Sequence, residues 1–338
     1  MSTPSYDVYG IGNAMVDTEY KVEDSFLSAN SIEKGRMTLV DPEFMHNLVQ
    51  NLQDDQGLTP SRQCSGGSAA NTMIAAQSFG SPSFYSCKLA QDDTGTFFHA
   101  DLRSTGVNSV PLSEDNQGVS GRCVVLITPD AQRSMNTNLG ISETLSISEV
   151  DEVALRNSRF LYIEGYLCTS PTGRAAAIHC REIAEQNHLE TSLTLSDTSM
   201  VEFFRDELEA MLGNGIDHLF CNEEEALSWA KTDRLDIAIT ELKDIAKFIN
   251  VTLGAKGSMV IEAHGQKHIR GYEVSPKDTT GAGDIYAGAC LHGWASGMSA
   301  QDSATLGNYT AAQLITRFGA RFDSVDEYQE LKKELMGR

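Results

Sequence analysis

The chain has 338 residues, 41% hydrophobic and 22% charged, which is enough for one large α/β domain or two smaller ones. Its 47 acidic and 26 basic residues give a formal charge of -21, which argues against binding to nucleic acid or to an anionic membrane. The N-terminus lacks the pattern of a signal peptide, and no apolar run approaches the ~20 residues of a membrane span. We therefore expect a cytoplasmic protein without nucleic-acid or membrane partners.

The seven cysteines are scattered along the chain, and no two form a C-x-x-C pair. An odd number of widely separated cysteines indicates reduced thiols in the core rather than a disulfide or zinc framework. His264 and His268 are four residues apart, but they fall in a predicted hairpin and not on a helix. The histidines therefore predict no metal site.

Short β-rich segments alternate with helical ones along most of the chain. Strands are predicted at 6–12, 83–90, 159–165, 191–197, 217–222 and 248–254. Helices are predicted at about 68–79, 95–105, 172–187, 199–212, 223–230, 236–246, 284–297 and 300–318. This alternation predicts an α/β fold with a central, mostly parallel sheet flanked by helices.

Three further β-rich segments interrupt this alternation. They cover residues 14–22, 35–41 and 118–139, and the last predicts a hairpin that turns near TPDAQ (128–132). Because they are similar in character but separated in sequence, they predict a small discontinuous β-sheet that covers the main domain as a lid. With no repeat or linker in the sequence, we expect residues 1–338 to form a single domain.

The first polar motif, GIGNAMVD (10–17), brings Asn13 and Asp17 directly after the first predicted strand. Ligands of open parallel sheets bind at the carboxyl ends of the strands, so both side chains are candidates for ligand binding. A dinucleotide-binding G-x-G-x-x-G is excluded because Met15 occupies the position of the third glycine.

The second motif, CSGGSAAN (64–71), pairs Gly66 and Gly67 at the start of a predicted helix. The first turn of that helix presents Asn71, whose amide can both donate to and accept from a diol. A helix start that is merely packed against a strand remains an equal alternative for this motif taken alone.

Two motifs follow later strands. CNEEEA (221–226) begins a helix, where Glu223 and Glu224 suit the solvated first turn.

VTLGAKGSMV (251–260) contains two glycines. Taken alone, this motif is as compatible with a simple β-hairpin as with a functional loop. The chain has no G-x-x-x-x-G-K-[ST] motif, so a Walker-type ATPase is not supported.

The motif DTTGAGD (278–284) combines a glycine-rich turn with the start of a helix. Gly281 and Gly283 permit close backbone approach, and consecutive N–H groups at a helix N-terminus can bind an anion with help from the helix dipole. An acidic side chain here suits proton removal from an attacking hydroxyl, a role for Asp284. The alternative is that Asp284 only caps the helix.

DTTGAGDIYAGACL (278–291) resembles the C-terminal signature of the ribokinase, or phosphofructokinase-B, family of carbohydrate and nucleoside kinases. The other motifs resemble the family's landmarks in the family's order, from about residue 6 to 320. The resemblance implies a ribokinase-like fold, Asp284 as catalytic base, and a phosphate-binding role for the amides of Gly281, Ala282 and Gly283. Asp278 is then expected to shape the loop.

The resemblance also implies the remaining site residues. Substrate hydroxyls are expected to contact Asn13, Asp17, Gly66, Gly67 and Asn71. ATP is expected near Asn222, Thr252, Gly254 and Gly257, with Asn222 and Glu225 organising Mg²⁺ through water. Activation by a monovalent cation such as K⁺ near the Asp278 loop, seen in some relatives, stays open.

The acceptor is the least determined part of the resemblance. GGS (66–68) and the stretch GRCVVLITPDAQRSMNTNL (121–139) resemble adenosine kinases, which favours phosphorylation of the adenosine 5′-hydroxyl to give AMP and a role in purine salvage. A sugar kinase acting on ribose, fructose or a related carbohydrate is the alternative. A kinase-derived sensor that binds nucleoside or sugar without turnover is the non-enzymatic alternative.

Two features of the predicted lid remain open. Arg133 lies in its hairpin, where the side chain either folds over the phosphates or is simply exposed. Exposed edges of lid strands often pair between subunits, so a homodimer formed through the lid is also possible.

Overall fold

The computed structural model describes residues 5–130 and 132–337, so Ala131 in the predicted hairpin turn lies outside the described residues. Strands β1 to β14 are, in chain order, Val8–Ile11, Met15–Lys21, Met37–Leu39, Arg62–Gly66, Ser83–Ser86, Asn108–Ser109, Gly121–Ile127, Arg133–Asn138, Phe160–Glu164, Glu190–Thr194, Ile216–Asn222, Ala246–Thr252, Gly257–Glu262 and Gly265–Arg270. Helices α1 to α13 are Asp24–Ala29, Pro42–Gln50, Ser68–Phe79, Asp93–Ser104, Glu152–Arg156, Pro171–Gln186, Thr198–Phe203, Arg205–Leu212, Glu223–Trp229, Leu235–Leu242, Ala282–Ala295, Ala300–Leu314 and Val325–Met336.

The larger sheet has nine strands within the described residues, in the order β14-β13-β12-β11-β10-β9-β1-β5-β6. Every neighbouring pair from β6 to β12 is parallel, whereas β13 and β14 pair antiparallel. Two apolar clusters pack the sheet against its flanking helices. The predicted α/β fold with a mostly parallel sheet is therefore confirmed.

The smaller sheet has five strands in the described part of the chain, in the order β3-β8-β7-β2-β4. One of its faces contributes Tyr20, Val124 and Leu126 to an apolar cluster that also contains Leu27 of α1 and Leu48 of α2. The three β-rich segments predicted for this sheet all contribute strands to it. Strand β4 was not predicted, because RQCSG is short and mostly polar and leads directly into the glycine motif.

Several helices differ from the sequence-based expectation. The predicted helix at 199–212 is interrupted at Phe204, which separates α7 from α8. Helices α1, α2, α5 and α13 were not predicted. Three of them are short, and α13 fully buries only one residue, Tyr328.

The predicted helix at 300–318 ends earlier, at Leu314. The chain then turns back to the loop before α11, where the Lys277 and Asp278 N–H groups donate to the Ile315 carbonyl at 2.7 and 3.3 Å. Across residues 5–130 and 132–337, no helix is long and apolar enough to cross a membrane.

Candidate active site

Helix α11 begins with a glycine turn that leaves backbone N–H groups free. Gly281 has φ +76° and packs so closely on Ala320 that a Cβ at Gly281 would collide with the Ala320 carbonyl oxygen, so only glycine is accommodated. The Ala282 N–H donates to the Thr279 carbonyl at 3.2 Å. Among the described residues, no acceptor contacts the N–H groups of Gly281, Gly283 or Asp284. These three free amides are donors that a helix N-terminus can offer to an anion.

Asp284 lies in the first turn of α11 and is held by two side chains of α3. Ser68 Oγ donates to one carboxylate oxygen at 2.7 Å, and Asn71 Nδ2 donates to the other at 3.1 Å. Burial raises the pKa of Asp284 to about 6, although both hydrogen bonds lower it. The two hydrogen bonds thus give the carboxylate a fixed orientation. Asn71, predicted to bind substrate, here orients the candidate base.

The glycine pair before α3 lies against strand β2. A Cβ at Gly66 would collide with the Asp17 carboxylate, and one at Gly67, which has φ +107°, would collide with the Asn13 carbonyl oxygen. No described residue donates a hydrogen bond to the Asp17 carboxylate. Burial raises its pKa to about 7, while the charges of Arg133 and Arg321 lower it. An unpaired carboxylate beside a glycine backbone is available to ligand hydroxyls.

Asn13 is buried and already engaged within the protein. Its Nδ2 donates to Glu164 Oε1 at 3.1 Å, and its Oδ1 accepts from Ser142 Oγ at 3.3 Å. Glu164, at the end of β9, also accepts the Ala69 N–H at 2.9 Å, and burial raises its pKa to about 7. Glu164 thus holds both the 10–17 and the 64–71 motif in place. Sequence reasoning missed it, although a charged residue at the end of an apolar strand was a usable signal.

A cavity of about 330 Å³ lies at the carboxyl ends of the parallel strands. It is lined by Asp284, the 281–283 turn, and the predicted ATP-side residues Asn222, Glu225 and Thr252. Thr252 pairs with Asn222 across neighbouring parallel strands. These residues, far apart in sequence, therefore meet in one cavity.

Asn222 and Glu225 form a reciprocal cap at the start of α9. Asn222 Nδ2 donates to Glu225 Oε1 at 2.6 Å, and the Glu225 N–H donates to Asn222 Oδ1 at 2.8 Å. Burial raises the pKa of Glu225 to about 7, and the charges of Asp197 and Glu224 raise it further. This corner is rich in carboxylates. Within the described residues, however, no cluster of three or more His, Cys, Asp or Glu side chains could hold a metal ion.

Gly254 and Gly257 belong to the tight connection between β12 and β13, where both have positive φ, +58° and +99°. A Cβ at Gly257 would collide with the Ile269 carbonyl oxygen, which explains the glycine. The antiparallel hairpin suggested for this motif is present. Its first strand ends at the cavity, but neither glycine lines the cavity itself.

Arg133, on β8, bridges the small sheet and the glycine turn. Its guanidinium donates to Glu19 at 3.0 Å and forms an ion pair with Asp278. Its buried Nε has no partner among the described residues. Asp278 also accepts hydrogen bonds from Thr280 and from the Gly319 N–H. In this structure Arg133 is therefore neither exposed nor free, and Asp278 shapes the loop.

The pfkB family carbohydrate kinase model matches residues 58–327 of the chain. The crystal structure of adenosine kinase from Sinorhizobium meliloti is 34% identical, with a TM-score of 0.85, and the match covers 97% of this chain and 99% of that one. A probable sugar kinase from Rhizobium etli CFN 42 is 31% identical with a TM-score of 0.86, covering 99% of each chain.

A third relative, adenosine kinase 2 of Arabidopsis thaliana, is 23% identical over 97% of this chain and 99% of its own length. Both adenosine kinases and sugar kinases are thus similar to this chain over nearly its whole length. The fold is ribokinase-like, and the activity is that of an ATP-dependent kinase acting on an alcohol group. The chain belongs to the pfkB family of carbohydrate kinases.

Proposed function

We propose that the protein transfers the γ-phosphoryl group of ATP to the 5′-hydroxyl of adenosine, giving AMP and ADP. The observation that carries this proposal is the arrangement of Asp284, which is fixed by two hydrogen bonds beside three free backbone amides. A base and an anion-binding turn on the same helix terminus are the two parts that phosphoryl transfer to an alcohol requires.

In this mechanism, Asp284 accepts the proton of the attacking hydroxyl at one carboxylate oxygen. Ser68 and Asn71 keep that carboxylate in place, which matters because positioning contributes more than basicity when the transition state is loose. The free N–H groups of Gly281, Gly283 and Asp284 donate to oxygens of the transferred group. The dipole of α11 favours negative charge at the same point.

We also propose that ATP is bound with Mg²⁺ near Asn222 and Glu225. Magnesium prefers oxygen ligands, keeps several waters and commonly takes only one or two protein carboxylates. The two side chains supply such oxygens, and the raised pKa of Glu225 reflects a buried acidic corner that a cation would stabilise. When bound, the ion neutralises charge on the phosphates.

Adenosine is favoured over a free sugar by the small sheet. The register pairs Asp17 with Cys123, Cys123 with Thr137 and Thr137 with Leu39, so all four side chains share one face. On that face Leu39 is 65% exposed and its neighbour Met37 is 52% exposed. A nucleoside fits this face, because Asp17 can accept hydrogen bonds from ribose hydroxyls and the apolar side chains of Leu39 and Met37 can cover a base.

The sugar kinase remains the alternative acceptor reading, supported by the similarity to the Rhizobium etli protein. Free sugars lack a flat apolar base, so they would leave Leu39 and Met37 uncovered.

Closure of the small sheet as a lid would exclude water and limit wasteful ATP hydrolysis.

Three further proposals concern the protein's setting. Free thiols at all seven cysteines suit a reducing compartment such as the cytoplasm, where adenosine phosphorylation would serve purine salvage. The backbone of the edge strand β3 would suit a homodimer formed through the lid. A K⁺ requirement at Asp278 would need Arg133 to move, because Arg133 already compensates that carboxylate.

The test is an ADP-release screen with ATP and Mg²⁺ against adenosine, other nucleosides, ribose, fructose and sugar phosphates. We expect the highest kcat/KM with adenosine, and chelation of the metal to abolish turnover. A strong preference for a free sugar would replace adenosine as the acceptor. Absence of ADP release with every acceptor would favour the sensor that was the non-enzymatic alternative.

A further inference from the structure

The loop formed by residues 318–321 joins the small sheet to the glycine turn. On one side, Arg62 of β4 donates two hydrogen bonds to the loop backbone. Its Nη1 donates to the Phe318 carbonyl at 3.0 Å, and its Nη2 donates to the Arg321 carbonyl at 3.3 Å. The contact is tight, because a Cβ at Gly319 would collide with the Arg62 guanidinium. The loop can therefore hold this conformation only while a glycine faces that arginine.

On its other side, the loop supports the anion-binding turn. The Gly319 N–H donates to Asp278 at 2.8 Å, and the Ala320 backbone packs directly against Gly281, the residue that opens α11. Gly319, Ala320 and Arg321 are all buried, so the contact excludes solvent. A displacement of the loop would therefore move the turn that carries the free amides.

The same loop also reaches the substrate side of the site. Arg321 donates to Ser65 Oγ at 3.1 Å and forms an ion pair with Asp101, which in turn accepts the Ser65 N–H at 2.7 Å. Ser65 directly precedes the glycine pair that lies against Asp17. One four-residue loop thus contacts β4 at Arg62 and at Ser65, the residue before the glycine pair, and also contacts the glycine turn.

We propose that Arg62 is a positioning residue for phosphoryl transfer, acting through the 318–321 loop on the N–H groups at the start of α11. The inference rests on the proposed role of those amides as donors to the transferred group. Arg62 itself belongs to none of the motifs that line the cavity. Its fork of donors spans two carbonyls three residues apart, which a single ammonium group cannot do.

Loss of Arg62 should lower kcat more than it raises either KM. Arg62 itself contacts neither Asp284 nor Asp17, whereas the amides must be correctly aimed only in the transition state. Because small misplacements in a preorganised site are costly, we expect kcat of Arg62→Ala to fall about 10–100-fold, with KM values within about three-fold. Arg62→Lys should recover only part of the loss.

Two variants serve as controls. Arg36→Ala removes another arginine of the small-sheet region, which is 70% exposed and pairs with Glu33. Asp323→Ala removes the exposed carboxylate that pairs with Arg62 but leaves the two carbonyl contacts in place. Both should keep kcat within about two-fold of the wild type, since exposed ion pairs contribute little.

The decisive readout is hydrogen exchange of the peptide 278–285, measured on the full-length protein alongside kcat. We expect faster exchange of this peptide in Arg62→Ala and Arg62→Lys, and no change in either control. Normal exchange there, or a normal kcat in Arg62→Ala, would overturn the inference. Faster exchange with unchanged kcat would show that Arg62 holds the turn but that the turn does not act as proposed.

Discussion

The N-terminus of α11 and strand β2 of the small sheet each carry one carboxylate of the proposed site, and the two are held differently. Asp284 accepts hydrogen bonds from Ser68 and Asn71, whereas no described residue donates to Asp17. Burial raises both pKa values, to about 6 for Asp284 and about 7 for Asp17. Hydrogen bonds oppose the rise in the first case, and the charges of two arginines oppose it in the second.

This difference separates two functions. A carboxylate that is oriented by the protein can meet an attacking hydroxyl in a fixed geometry, which favours proton transfer. A carboxylate without partners leaves its acceptor sites open and is costly to keep buried until a ligand donates to it. The difference supports the proposed roles of Asp284 in the chemical step and of Asp17 in acceptor binding.

The largest effect is expected for Asp284→Asn. An amide keeps the shape of the side chain but cannot accept the proton, so kcat should fall by about 10²–10⁴-fold. Steady-state ADP release checks this. Asp302→Asn is the matched control, because Asp302 is an exposed aspartate in the first turn of α12. Near-normal turnover of Asp284→Asn would mean that Asp284 only caps its helix.

A smaller effect on a different parameter is expected for Asp17→Asn. Hydrogen bonds to a charged group contribute about 1.5–3 kcal/mol, so kcat/KM for the acceptor should fall about 10–100-fold. The KM for ATP should stay unchanged. Asp24→Asn, an exposed carboxylate on α1, is the control. An equal rise in the KM for the acceptor and the KM for ATP would argue against a role of Asp17 restricted to the acceptor.

Ser68→Ala should sharpen the assignment of Asp284. Removing this donor raises the pKa of Asp284, and since the base must be ionised, the fall of kcat at low pH should move to higher pH. At pH 7 we expect a loss of about 3–10-fold. A pH profile of kcat between pH 5 and 9 measures both, with Ser28→Ala, at an exposed serine of α1, as control. An unshifted profile would contradict Asp284 as the titrating base.

The smallest effect is expected for Leu39→Ser. If a base covers this side chain, the lost apolar contact amounts to about 1 kcal/mol, or a roughly five-fold higher KM for adenosine. The KM for a free sugar should not change. Val153→Ser, at another exposed apolar position, is the control. Equal changes in the KM for adenosine and the KM for a free sugar would mean that Leu39 does not favour a nucleoside.

Local sequence features predicted a large part of the fold. The helix predicted at 68–79 coincides with α3, because Gly67 and Gly80 bound an uninterrupted helical segment. The resemblance of the motifs to the family's landmarks also implied that Asp284, Asn222 and Thr252 would lie at one site, and all three line the same cavity.

Long-range partnerships could not be predicted in this way. Glu164 is joined to Asn13 from 151 residues away, and Ser68 to Asp284 from 216, and neither pairing leaves a local pattern. The partners of Arg133, Glu19 and Asp278, are likewise visible only in three dimensions. Sequence motifs identified which residue types meet, but the hydrogen bonds that orient them depend on tertiary packing.

The most direct test of the division between the two carboxylates is calorimetric titration of adenosine into the wild type, Asp284→Asn and Asp17→Asn without ATP. The account predicts that Asp284→Asn binds adenosine about as tightly as the wild type, whereas Asp17→Asn binds about 10–100-fold more weakly. Loss of binding in Asp284→Asn with normal binding in Asp17→Asn would contradict it.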